Sequence, residues 1–169
     1  MKMQPDVELM TIKDIAERIS LDRSDRGVER TMRQVRHWTQ CDLLRTVGRK
    51  NTGKGIPRLY EEEPTMLIAA ILLELSLYGA TVEILSPVAE GLYEHSDEDG
   101  MYLFHATTDV NTYLQVEWVL DPASGKFIDA EIHFFDKLDR KDGQLLLSEY
   151  PSSSILINMT MVAERIYCD

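Results

Sequence analysis

Arg33, Arg36, His37, Arg49, Lys50, Lys54 and Arg58 crowd a stretch of fewer than thirty residues in a chain whose formal net charge is −11. Guanidinium and ammonium groups at this density do one kind of chemistry well, which is to grip anions. A guanidinium offers two parallel N–H donors that match a phosphate or the edge of a guanine, whereas an ammonium acts as a point charge. Residues 11–60 hold 12 Lys and Arg against 6 Asp and Glu, while residues 61–169 hold 5 against 21. Electrostatic attraction to a polyanion depends on where charge sits, so the acidic total does not exclude a nucleic-acid partner for the first segment.

The elements that must position these groups follow from periodicity and capping. In TIKDIAERI, Ile12, Ile15, Ala16 and Ile19 share one helical face, and Thr11 with Asp14 three residues on forms an N-terminal capping pair. Residues 20–26 read as a polar connector. Thr31 and Gln34 repeat the capping spacing, which predicts a second helix from about Met32 to Gln40, or from as early as Gly27, with Met32, Val35 and Trp38 turned inward. Residues 45–60, with Gly48, Gly53, Gly55 and Pro57, read as two short strands around a tip. Pro64 then starts a helix to about Tyr78 that Gly79 ends, and Thr81 caps another that Pro87 is expected to break and that ends by Ser96.

Past the acidic turn SDEDG the period changes from helical to alternating. Met101–His105, Tyr113–Leu120 and Phe127–Phe135 read as strands, with DPASGK as a hairpin loop. Leu114, Val116, Trp118 and Leu120 are expected on one face, together with Ile128, Ala130, Ile132 and Phe134. The tail from Ser153 reads as one helical stripe through Ile155, Leu156, Met159, Val162, Ala163 and Ile166, suited to cover the sheet or a partner chain. The expected fold class is therefore α+β, with residues 1–95 forming a winged helix domain and residues 96–169 an acidic α+β domain for dimerisation or sensing.

Four segments resemble, in order, the winged helix-turn-helix domain of the MerR family. TIKDIAERI stands where the family opens TIGELA, TMRQVRHWTQCDLL where it has SVRTIRYYERIGLL, PRLY where it has YRLY, and YGATVEI where it has LGFSLEEI. The resemblance spans residues 11 to about 92. It implies that the helix from Thr31 enters the major groove of double-stranded DNA, that the hairpin ending at Arg58 and Tyr60 is the wing, and that Arg33, Arg36 and His37 face DNA. Trp38 is open to two readings, DNA contact or core. The chain departs from the family in a longer link, Ser20–Arg30, between its first two helices, and in a following helix too short for the family's antiparallel coiled coil. A homodimer is then expected to use Ile155, Met159, Val162 and Ile166 instead.

Other chemistries are weaker. GRKNTGK approaches a phosphate-binding loop, but Gly55 stands where the metal-binding hydroxyl belongs and Pro57 blocks the helix that should follow. Cys41 and Cys168 lie far apart without a paired motif. Glu117, Glu131, His105 and His133 could meet on the polar face of the sheet, yet a half-exposed sheet carries such residues for solubility alone, so neither metal nor cofactor is expected. No nucleophile has an adjacent His and carboxylate, and an enzyme is not expected. The apolar run Met66–Leu73 is too short for a membrane span and the N-terminus lacks a signal-like core, which points to the cytoplasm. The competing reading is a protein–protein interaction module, a winged-helix scaffold with an acidic docking half.

Overall fold

A computed structural model describes residues 8–50, 55–98, 112–135 and 153–167. The element order is β1 (Leu9–Thr11), α1 (Ile12–Ile19), α2 (Asp25–Gln40), β2 (Leu59–Glu61), α3 (Glu62–Leu77), α4 (Val82–Glu98), β3 (Tyr113–Asp121), β4 (Lys126–Phe135), β5 (Ser153–Asn158) and α5 (Met159–Tyr167). The described residues are thus mixed α+β, with a two-stranded antiparallel sheet β1–β2 and a three-stranded antiparallel sheet in the order β4–β3–β5. The expected strand at Met101–His105 lies outside them.

The organising element is α3. Every residue from Thr65 to Leu73 is buried, so this helix is apolar all round and must be surrounded rather than half covered. Its regular turns begin at Pro64, because Glu63 departs from helical geometry. Around it pack α1, α4 and α5, while α4 also rests on β4. One buried cluster runs from Met10 to Ile166 and includes Trp38, Tyr60, Leu72, Leu92, Val116 and Val162. Helix α4 ends at Glu98 and β3 begins at Tyr113, and the buried cluster includes residues of both. No helix among the described residues is long and apolar enough to cross a membrane.

Three local readings of the sequence are corrected. First, α2 starts at Asp25, capped by Ser24, whose Oγ accepts the Gly27 N–H at 3.2 Å. Thr31 is no cap; it is buried inside the helix and bonds back to the Gly27 carbonyl at 3.2 Å. Its hydroxyl also lies 3.2 Å from that of Ser20. The link from α1 to α2 is therefore only residues 20–24, a tight turn in place of the long connector expected. Ser24 won because it precedes an acidic first turn, whereas Thr31 fits equally well as a buried helical threonine.

Second, Pro87 lies within a continuous α4 rather than breaking it. Third, the C-terminal stripe is two elements. Ile155 and Ile157 pair with Val116 and Leu114 in strand β5, and only from Met159 does the chain turn helical. Alternation and helical period overlap over so short a stretch, and pairing to β3 decided between them. Met159, Val162, Ala163 and Ile166 are buried within the same chain, on α3 and α1. The surface expected to form a dimer seam is thus part of the monomer's own core, and Ile155 packs partly buried against it. Arg165 of α5 pairs with Glu74 of α3, and Arg23 donates to the Arg165 carbonyl at 3.1 Å, which ties the C-terminus to both.

A bulge between Val119 and Leu120 changes the register of β3 and β4. Ala130 and Ile132 face the core as expected, but Ile128, the extra residue, is 64% exposed. Gly91 of α4 packs so closely on this sheet that an added Cβ would lie 2.9 Å from Ile132 Cδ1.

Candidate nucleic-acid interface

Along α2 the inward positions are Gly27, Thr31, Val35, Trp38 and Thr39. At 100° per residue these fall on one side, and the opposite arc carries Arg26, Glu29, Arg30, Arg33, Arg36, His37 and Gln40, all exposed. One carboxylate therefore faces five basic or imidazole side chains. Glu29 lies 3.7 Å from Arg33 along the helix, an exposed contact of the i,i+4 type that contributes only about 0.3–0.5 kcal/mol. The ridge is convex, unobstructed among the described residues, and of the diameter a major groove admits.

The segment between α2 and β2 stands beside it. Val47 and Leu59 form an antiparallel bridge, and Leu59–Glu61 continues as β2 by pairing with Leu9–Thr11. Leu59–Glu61 is thus held by the N-terminal strand, a partner the sequence reading did not assign. Between the start of α1, α2 from Met32 to Gln40, and residues 56–58 runs an open groove of about 490 Å³. Lys13, Arg36 and Arg58 line it with Gln40, and no carboxylate does so among the described residues. Three separate elements bring cations to one concave strip, as backbone-following phosphate contacts require.

Local contacts assign the remaining basic residues. Lys50 Nζ donates to the Gln40 carbonyl at 2.9 Å and meets the Asp42 carboxylate at 2.6 Å. Asp42 occupies the left-handed region at φ 63° just past the helix end. Lys50 therefore closes the C-terminus of α2, where a cation favours the helix dipole, and fastens the following segment to it. Arg58 Nε donates to the Lys50 carbonyl at 2.8 Å, which sets the guanidinium along the groove. The Arg45 guanidinium lies 4.2 Å over the Tyr93 ring, and the Arg45 backbone N–H donates to the Tyr93 hydroxyl at 3.0 Å. Arg49 is exposed, and Lys54 lies outside the described residues.

Two residues named for DNA contact belong to the core. Trp38 is 2% exposed and Tyr60 fully buried, so neither reaches a base or phosphate. The Tyr60 hydroxyl lies 2.8 Å from Thr39 Oγ1. Burial pushes the Tyr60 phenol up, opposed by the charges of Arg58 and Arg36. Lys13, Arg26, Arg30 and Gln40 were missed. Starting α2 at Asp25 adds Arg26 and Arg30 to the same arc at i, i+4 and i+7 to Arg33, a pattern legible once Ser24 is taken as the cap. Lys13 and Gln40 join only through the tertiary groove.

No protein-family model matches the chain, and no curated protein matches it.

Proposed function

We propose that the chain is a DNA-binding transcriptional regulator of MerR-like type, with α2 in the major groove and the wing on the flanking phosphates. The observation that carries this reading is the shared groove: Lys13 from α1, Arg36 from α2 and Arg58 from the wing meet beside an exposed arc of arginines, on a chain that is otherwise acidic. In this reading Arg33, Arg36 and His37, joined by Arg30 and Gln40, face base edges. Arg49, Arg58 and Lys13 bind phosphate. The short link at residues 20–24 supports the likeness to a helix-turn-helix, because it lets α1 brace α2 as that motif requires. The dimer that a two-fold operator would demand uses a surface other than Met159, Val162 and Ile166.

The test is titration of the full chain against duplex DNA drawn from a binding-site selection, at several salt concentrations. Neutralising about five or six phosphates gives a slope of log K against log salt near −5. A slope of zero, or selection of no common sequence, overturns the reading and leaves the acidic half's docking on a basic protein as the activity to pursue.

A further inference from the structure

On the face of the three-stranded sheet opposite α4, the central strand carries two polar side chains that are almost completely covered. Gln115 and Glu117 are each 1% exposed. Glu117 is paired in register with Glu131 of β4, and Gln115 with His133. Directly opposed residues in an antiparallel pair bring their Cβ atoms to about 5 Å, and side chains two apart on a strand share a face. Glu117, Glu131 and His133 accordingly converge, with one ligand atom of each within 4.8 Å of the others. His133 Nε2 and Glu131 Oε2 are already 3.5 Å apart. Four ligands at about 2.1 Å around zinc have edges of roughly 3.4 Å, so this edge is closed and the remaining ones need shorten by little more than an ångström.

A carboxylate cluster alone is commonplace on a sheet. The independent observation is Gln115, whose side-chain oxygen and nitrogen are both buried without a hydrogen-bond partner. A buried amide left so costs free energy unless something polar meets it, and nearly all such groups in folded proteins are satisfied. Gln115 lies two residues before Glu117 and directly across from His133, which puts it on the same sheet face as the three ligand groups. We propose that Glu117, Glu131 and His133 bind one divalent transition-metal ion of the zinc class, and that the Gln115 amide meets the ion or a water on it. One imidazole and two carboxylates, without thiolate, suit zinc, cobalt(II) or manganese(II); calcium and magnesium prefer all-oxygen sets. The site is built from β3 and β4 alone and stands or falls apart from DNA binding.

The experiment uses the full-length chain freed of metal by a chelator and titrated with Zn²⁺ by calorimetry, with Co²⁺ by visible absorption. Binding of one equivalent, a visible Co²⁺ band, and a shift of the Gln115 side-chain amide resonance on Zn²⁺ addition are expected. His133→Ala and Glu131→Gln, both at partly exposed positions, should each weaken binding by about tenfold or more while the chain stays folded. Glu117→Gln should abolish the Co²⁺ band. Cys41→Ser should change nothing, which separates this site from the thiol lying 3.9 Å from His37 Nδ1. Absence of binding, binding that survives both His133→Ala and Glu131→Gln, or binding lost in Cys41→Ser overturns the proposal.

Discussion

Tyr60 of β2 and Thr39 of α2 are joined through a buried hydroxyl pair 2.8 Å apart. Thr39 Oγ1 also lies 2.8 Å from the Val35 carbonyl, so its proton is spent there and Tyr60 is the donor to Thr39. Tyr60→Phe removes that bond and leaves an apolar ring of the same shape. The expected loss is about 1 kcal/mol, or roughly 3 °C in thermal midpoint for a chain of this size. Affinity for DNA should scarcely change, because the ring is buried. A large affinity loss at an unchanged midpoint would show that Tyr60 reaches DNA.

Arg33→Ala and Arg36→Ala test which arc of α2 reads bases. Both side chains are exposed, so thermal stability should move by no more than about 0.5 kcal/mol. Preference for the selected site over random duplex should fall by the equivalent of about 1–3 kcal/mol for each, measured by competition gel shift. If all sequences lose affinity equally, the two arginines contact phosphate and a different face of the helix carries specificity.

Lys50 and Arg49 are neighbours with different expected behaviour. Arg49→Ala should weaken binding to every sequence alike and lower the salt slope by about 1, leaving stability untouched. Lys50→Ala should in addition quicken hydrogen exchange at Cys41 and Asp42, since its ammonium holds the Gln40 carbonyl and the Asp42 carboxylate at the helix end. Unaltered exchange there would mean the contact contributes nothing to holding residues 47–50 against α2.

Gly27 and Gly91 both sit in tight contacts, yet their substitution should differ. An added Cβ at Gly27 would lie 2.0 Å from the Asp22 carbonyl oxygen, which is backbone and can move only with the α1–α2 turn. Gly27→Ala should therefore destabilise by about 1–3 kcal/mol and weaken DNA binding as α1 shifts against α2. At Gly91 the nearest atom is the tip of the Ile132 side chain, which can rotate aside. Denaturant titration of the two variants gives the comparison, and equal losses would contradict it.

Acid should act on the capping box at the start of α1. The Asp14 carboxylate accepts the Thr11 N–H at 2.7 Å and the Thr11 hydroxyl at 2.8 Å, and these bonds hold its pKa below the ordinary 3.8. A carboxyl with a lowered folded value contributes stability that is present above 3.8 and is lost as pH falls through the folded value. The gap in thermal midpoint between the native chain and Asp14→Asn should be widest near neutrality and close on acidification below 3.8. A gap independent of pH would mean the charge plays no part.

Residues close in sequence determined much of this protein without help. Thr11 and Asp14 marked the start of α1, Pro64 and Gly79 bracketed α3, and alternation gave β3 and most of β4, because caps and periods are short-range properties. Segregation of arginine and lysine before residue 61 was equally plain, as charge is read by counting. What the tertiary structure decided was everything that depends on a second segment. Thr31, offered as a cap by its spacing, is a helical residue that meets Ser20 in the core, while Ser24 caps α2. Residues 153–158 are a strand because β3 offers them hydrogen bonds, and Met159 to Ile166 are interior because α3 needs covering on that side. Trp38 and Tyr60 fit both a DNA surface and a core by composition, and burial chose the core. The convergence of Lys13, Arg36 and Arg58, and of Glu117, Glu131 and His133, arises from packing and register between distant stretches, which no local pattern encodes.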